Sequence, residues 1–139
     1  MKIFTDKIDF ETKGNCDIVN ITDEVFGVLK KSEIKNGLLN VFIAGATGAI
    51  TTIEYEPGLV ADFQNMLIKI VPENGEYQHN ITHSDGNAAS HLRASLLGPS
   101  LTIPVEKSKM ILGTWQQIIF VDMDNRPRKR EVVVKIIGE

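Results

Sequence analysis

The alternation of apolar and polar positions divides the chain into segments with two different periods. Residues 2–12 alternate loosely, Ile8 and Phe10 lying opposite Asp9 and Glu11, and this predicts a half-buried strand. Gly14-Asn15 reads as a turn and Ile18–Ile21 as a second, short strand. Thr22-Asp23-Glu24 then supplies the hydroxyl and acidic residues of a helix start. That helix is predicted to run to about Ile34, with Val25, Phe26, Val28 and Leu29 as its apolar face and Asn36-Gly37 as its stop. From Leu38 to Ala44 the run L-L-N-V-F-I-A is apolar in both phases, which predicts a central strand covered on both sides. A small-residue loop, 44–49, leads to a strand over Ile50–Tyr55 and a turn at Glu56-Pro57-Gly58.

Leu59, Phe63, Met66, Leu67 and Ile70 then recur at helical spacing as one buried stripe, closed by Pro72 and Asn74-Gly75. A further helix is predicted over about Ala88–Leu97, with Asn87 as N-cap and Gly98 just past its end. Three β segments follow, 101–105, 110–122 and 129–137, joined by charged or D-N-R-P turns. Strands and helices without regular βαβ alternation point to the α+β class, a single domain over residues 1–139 in which a mixed sheet packs against two to three helices.

Composition narrows the picture. At 139 residues with 42% hydrophobic and 24% charged residues, one core is expected. No segment approaches the ~20 apolar residues of a membrane span, and the charged N-terminus has no apolar leader region, so the expectation is a cytoplasmic chain with no membrane partner. A net charge of −3 argues against a nucleic-acid binder, since the phosphate backbone is gripped by basic surface. The single cysteine, Cys16, excludes an internal disulfide and a cysteine-rich zinc site.

Candidate chemistry concentrates between Tyr77 and Gly113. All three histidines, His79, His83 and His91, lie in its first half among polar residues that include Asp85 and Asn87. A spacing of four puts His79 and His83 on one side of either a helix or a strand. His91 falls near a helix start, where the dipole disfavours imidazolium and keeps a lone pair free. Three imidazoles with an open position suit a catalytic divalent ion, with Asp85 as a further ligand or outer partner; solvated loop histidines and a packed His91 are the structural alternative. The helix start at Ala88–Ser90 is a candidate anion cradle together with Asn87. Arg93, Arg126 and Arg128 offer guanidinium forks to phosphate, or else surface ion pairs. Trp115 can stack on a heteroaromatic ring or fill a core position, and Glu54 and Glu56 are candidate acid, base or metal-orienting groups. The loop Gly45-Ala46-Thr47-Gly48 lacks the G-x-x-x-x-G-K-[ST] sequence, which excludes a Walker-type site. No Ser-His-Asp or Cys-His arrangement stands out.

The segment H-L-R-A-S-L-L-G-P-S-L-T-I-P-V at 91–105, with L-G-T-W-Q-Q-I at 112–118 and D-N-R-P-R at 124–128, resembles the YjbQ-like family, also called the secondary thiamine-phosphate synthase family. The similarity extends back through G-A-I-T-T-I-E-Y-E-P-G at 48–58 to G-L-L-N-V-F at 37–42, about the C-terminal three quarters of the chain. The resemblance implies a weak thiamine-phosphate synthase that joins a pyrimidine pyrophosphate to a thiazole phosphate, a divalent ion (zinc or magnesium), a small phosphorylated substrate and a homotrimer. His79, in Y-Q-H, and His91, in S-H-L, match histidines of the family's site. Many relatives carry a further histidine in H-T-[TS]-A after the central strand, where this chain has Gly45-Ala46-Thr47-Gly48. His83, which matches no histidine of the family's site, either takes over as ligand or is unrelated to it. A non-enzymatic, oligomeric metal or small-molecule binder is the alternative.

Overall fold

The computed structural model describes residues 1–139. Eight strands and four helices follow in the order β1 (Lys2–Thr12), β2 (Asp17–Asn20), α1 (Thr22–Ser32), β3 (Gly37–Ile43), β4 (Gly48–Glu54), α2 (Pro57–Ile70), α3 (Gln78–Thr82), α4 (Ala88–Leu97), β5 (Ser100–Glu106), β6 (Lys109–Met110), β7 (Gln116–Asp122) and β8 (Arg128–Gly138). The class is α+β. Instead of one mixed sheet there are two, a five-stranded sheet ordered β1-β8-β3-β5-β6 and a three-stranded sheet ordered β2-β7-β4, and every strand pairing is antiparallel. Hydrophobic periodicity identifies strands but not their partners, and the short β3–β4 and β7–β8 connections step from one sheet to the other.

The three-stranded sheet is the middle layer. One face sends Ile50, Ile118 and Phe120 against Leu39, Val41, Ile43, Val132, Val134 and Ile136 of the larger sheet, with Val25, Val28 and Leu29 of α1 closing the same core. Its other face sends Ile18, Ala49, Ile119 and Val121 against Leu67 of α2 and Ala94 of α4. The strand covered on both sides is therefore β7, in which Ile118 to Asp122 are all buried. β3 lies in the middle of the five-stranded sheet, but only Leu39, Val41 and Ile43 are buried; Leu38 is 51% and Phe42 40% exposed. The double-sided apolar run thus marks a face that nothing within the chain covers. Register places Ile3, Ile137, Leu38 and Pro104 in one row across that face.

α2 is also rotated from expectation. Leu67 is its one fully buried residue, with Val60 and Phe63 packed beside it, while Met66 and Ile70 are exposed. Gln64 fixes the rotation, its Nε2 donating to Cys16 O at 2.8 Å. Glu56 caps the helix, accepting from Gly58 N at 2.9 Å and Leu59 N at 2.7 Å, and these bonds hold its carboxyl below the usual range. α1 ends earlier than predicted, at a left-handed Glu33. The predicted 110–122 segment is interrupted, because residues 111–115 leave the sheet before β7 begins. No helix is long and apolar enough to cross a membrane.

Phe120 joins the layers: it is fully buried, meets Phe10 edge-on at 5.2 Å, and lies 5.7 Å beneath the Arg130 guanidinium. Phe120→Ala is expected to cost about 3–5 kcal/mol, as for other buried aromatic truncations, measured as a lowered urea midpoint at unchanged m-value.

Candidate functional site

The site is built where the C-terminal end of β7 turns into β8. Period two puts Asp122 and Asp124 on one face and, across the turn, Arg128 and Arg130 on the face opposite. Asp122, wholly buried, takes Arg130 Nε at 2.7 Å and Nη2 at 2.8 Å, and the Thr12 hydroxyl donates to the same carboxylate. Asp124, equally buried, accepts from Arg128 Nε at 2.6 Å, from the Thr47 hydroxyl at 3.3 Å and from Asn125 N at 2.8 Å. Burial pushes the Asp124 carboxyl up, but the Asn125 N–H and the Arg128 guanidinium outweigh it and hold the group below its ordinary value of 3.8. Buried charges persist only when paired and fully hydrogen-bonded, and these are.

This network sets the loop after β3. Arg130 Nη2 donates to Thr47 Oγ1 at 3.0 Å, and Met123 N donates to Thr47 O at 2.8 Å. The register Gly48↔Asp122 continues the pairing into β4. A side chain at Gly48 would place its Cβ 2.8 Å from the Phe120 ring, so this end of the loop admits only glycine.

On the other side stands α4. Asn87 occupies its N-cap position as predicted but makes no side-chain cap; Asn80, from the single turn of α3, accepts from Ala88 N at 3.0 Å instead. The Asn87 amide is left over, with Oδ1 buried and unpartnered. It lines a polar cavity of about 180 Å³ with Asp85, Asp124, Asn125, Arg126 and Arg128. One turn along α4, His91 lines a second cavity of about 270 Å³ with Gly45, Ala46 and Gly48. Asn125 Nδ2, donating to Asp85 O at 3.1 Å, docks the segment between α3 and α4 onto the β7–β8 turn.

The three imidazoles converge. The rings of His79 and His83 stack with centroids 4.7 Å apart and 6° between planes, and His79 and His91 are 4.9 Å apart and tilted by 49°. His79 Nδ1 is buried without a partner, whereas His83 Nδ1 is 2.9 Å from the Thr82 hydroxyl. An ion bound by an imidazole lies in the ring plane. The near-parallel, stacked planes of His79 and His83 cannot both contain one ion, whereas the inclined planes of His79 and His91 do not exclude it. No group of three or more His, Cys, Asp or Glu side chains is arranged to hold a metal ion.

The family model described as "UPF0047 protein YjbQ-like" matches residues 6–139. The chain belongs to the YjbQ-like family. It is 43% identical to a UPF0047 protein of Methanothermobacter thermautotrophicus over 139 residues, covering 100% of this chain and 95% of the relative. A YbjQ-like protein of unknown function from Sulfolobus solfataricus P2 superposes with a TM-score of 0.95 at 36% identity, over 99% of each chain. A hypothetical protein from Aeropyrum pernix K1 gives 0.91 at 33% identity, over 97% and 98%.

In this YjbQ-like chain the predicted site residues divide into two groups. His79, His83, His91, Asp85, Asn87 and Arg126 gather around the N-terminal turn of α4. Arg93 is turned inward: it is buried, donates Nε and Nη2 to Val71 O at 3.0 and 2.7 Å, and pairs with Glu73 at 3.3 Å, so it ties α4 to the end of α2 instead of facing a ligand. Ala88 and Ser90 are buried, and the Ala88 N–H already serves Asn80, so the expected anion cradle there is closed. Glu54 and Trp115 lie at the far end of the three-stranded sheet, since β4–β7 pairing runs from Gly48↔Asp122 to Glu54↔Gln116. Six residues at ~3.4 Å separate the two ends by roughly 20 Å. Sequence reading missed Asp122, Asp124, Thr47 and the anchoring role of Arg130. The signal was present as D-x-D before the turn and R-x-R after it, a charge ladder that a plain turn does not need.

Asp124 has a depressed folded pKa, so its stabilisation is complete above its ordinary value and is lost as pH falls through the folded one. Urea-unfolding stability is expected to hold from pH 7 to about 4 and to fall below that. In Asp124→Asn the neutral-pH stability should be lower and the acid-dependent part smaller.

Proposed function

We propose that the protein is a cytoplasmic, secondary thiamine-phosphate synthase-like transferase working at the cleft between α3, α4 and the β7–β8 turn. The observation that carries this reading is the meeting of His79 and His91, with His79 Nδ1 buried and unpartnered, one helical turn from a cavity whose Arg126 takes part in no ion pair. The cavity suits a phosphate group: Arg126 is free to meet the anion, Arg128 is charged but already committed to Asp124, and the Asn87 amide can take up a hydroxyl or amino group. In the reaction the carbon–oxygen bond to pyrophosphate breaks as the thiazole nitrogen forms a bond to the same carbon, and pyrophosphate departs with the electron pair. Arg126 would meet the charge that develops on the departing oxygens. The tilted planes and the orphaned nitrogen fit a divalent ion on His79 and His91, which would add positive charge at the same place; imidazole donors favour zinc, nickel or cobalt over magnesium. His83 would reach that ion only after its ring turns away from His79.

The protein is further proposed to act as a homotrimer. The uncovered row Ile3–Ile137–Leu38 on the outer face of the larger sheet supports self-association, since an apolar sheet face of this kind is rarely left in water. Leu38→Lys should then yield a smaller species in sedimentation while keeping its circular dichroism.

The purified protein is expected to carry a divalent ion that His91→Ala loses and Arg126→Ala retains. The wild type should rescue a thiamine-requiring host, and both variants should fail. Rescue by His91→Ala would overturn the transferase reading, whereas metal retained in that variant would overturn the ligand assignment alone.

A further inference from the structure

At the end of the three-stranded sheet away from the histidines lies a concavity of about 340 Å³, lined by Asn20, Glu54, Tyr55, Glu56, Trp115 and Gln117 among others. The volume falls at the lower end of the range for small-molecule pockets. Trp115 is 71% and Tyr55 46% exposed, and neither ring packs on another aromatic ring. A tryptophan so placed needs an explanation, because its loop is fixed. Gln116 clasps that loop from within: its Oε1 accepts from Gly113 N at 3.0 Å, its own N–H donates to Gly113 O at 3.1 Å, and its Nε2 reaches Thr52 Oγ1 at 3.1 Å. The indole is held out at the surface by a structured loop.

The charged groups that line the concavity are both acidic. The five ion pairs of the chain all lie elsewhere, which leaves the Glu54 carboxylate without a basic partner. Glu56 is occupied by the N-terminus of α2, and it stays ionised because the Gly58 and Leu59 N–H groups hold its carboxyl low. Asn20 Nδ2 donates to Gln117 Oε1 at 3.2 Å, which orients that amide and leaves its NH₂ as a donor. The lining thus offers two aromatic side chains, a free carboxylate, a second negative charge, one amide donor and no basic group.

We infer that this concavity is a second binding site, separate from the histidine cleft, for a planar nitrogen heterocycle carrying positive charge. The aromatic faces attract a cationic ring through their quadrupoles, Glu54 supplies the counter-charge, and Gln117 reaches a ring substituent that accepts a hydrogen bond. Anionic or phosphorylated ligands are disfavoured here by two carboxylates with no basic group beside them, whereas Arg126 and Arg128 line the other cavity, so the two sites select opposite charge.

Trp115 is the only tryptophan in the chain, so its fluorescence reports on this pocket alone. 1-Methylnicotinamide, a pyridinium cation methylated on the ring nitrogen, is the probe; nicotinamide is its uncharged counterpart. Wild-type protein is expected to show saturable quenching by the cation, weaker for nicotinamide by about fivefold, the contribution of one partly exposed charge pair. Glu54→Gln should raise the dissociation constant by a similar factor and Tyr55→Ala by at least as much, with circular dichroism unchanged because both side chains are exposed. His91→Ala should bind the probe like wild type. Linear, unsaturable quenching, equal affinity for the uncharged probe, or indifference to Glu54→Gln would each overturn the inference.

Discussion

Two carboxylates almost wholly withdrawn from water impose more on this molecule than any single hydrophobic contact. Asp122 and Asp124 sit at the end of the one strand that is covered on both faces, where an unpaired charge would cost several kcal/mol. Their partners are consequently fixed in place: Arg130 and Arg128 from β8, Thr12 from the end of β1, and Thr47 from the loop between the sheets. The same bonds that satisfy the charges hold that loop against β7, and the loop forms one wall of the cavity facing His91. The site geometry is thus a consequence of charge burial in the core.

The helical wall is set by a different device. α3 is too short to be stable alone, and it is secured by Asn80, whose side chain does for α4 what Asn87 was expected to do. With its capping duty removed, Asn87 is free to turn its amide to the polar cavity. His79 rides on the same turn of helix, so one substitution of cap residue accounts for both an available amide and the approach of His79 to His91.

Much of this was legible in the sequence, and the failures have physical causes. Spacing alone placed His79 and His83 on one side, and the boundaries of α4 followed from Asn87 and Gly98. The double-sided apolar run at 38–44 predicts a doubly covered strand, yet apolar patterning does not say which of its residues the rest of the chain covers, and Leu38 and Phe42 are left exposed. β7, with an equally continuous run at Ile118–Val121, was the strand that fitted the description. Arg93 looked like an anion ligand because a sequence does not say that a carbonyl at Val71 will lie within reach. The aspartate–arginine ladder was hidden by the D-N-R-P turn, which explains itself locally and so concealed its long-range purpose.

The wall-fixing bonds join remote parts of the chain: Thr12 meets Asp122 across 110 positions, and Thr47 meets Asp124 across 77. Closing such loops costs entropy that only late contacts recover. During synthesis, a nascent chain that has emerged through α4 already carries all three imidazoles but lacks every carboxylate and guanidinium that will shape the opposite wall. The cleft is therefore among the last features to mature, and competence arrives only once the final strand, β8, has paired beside the first.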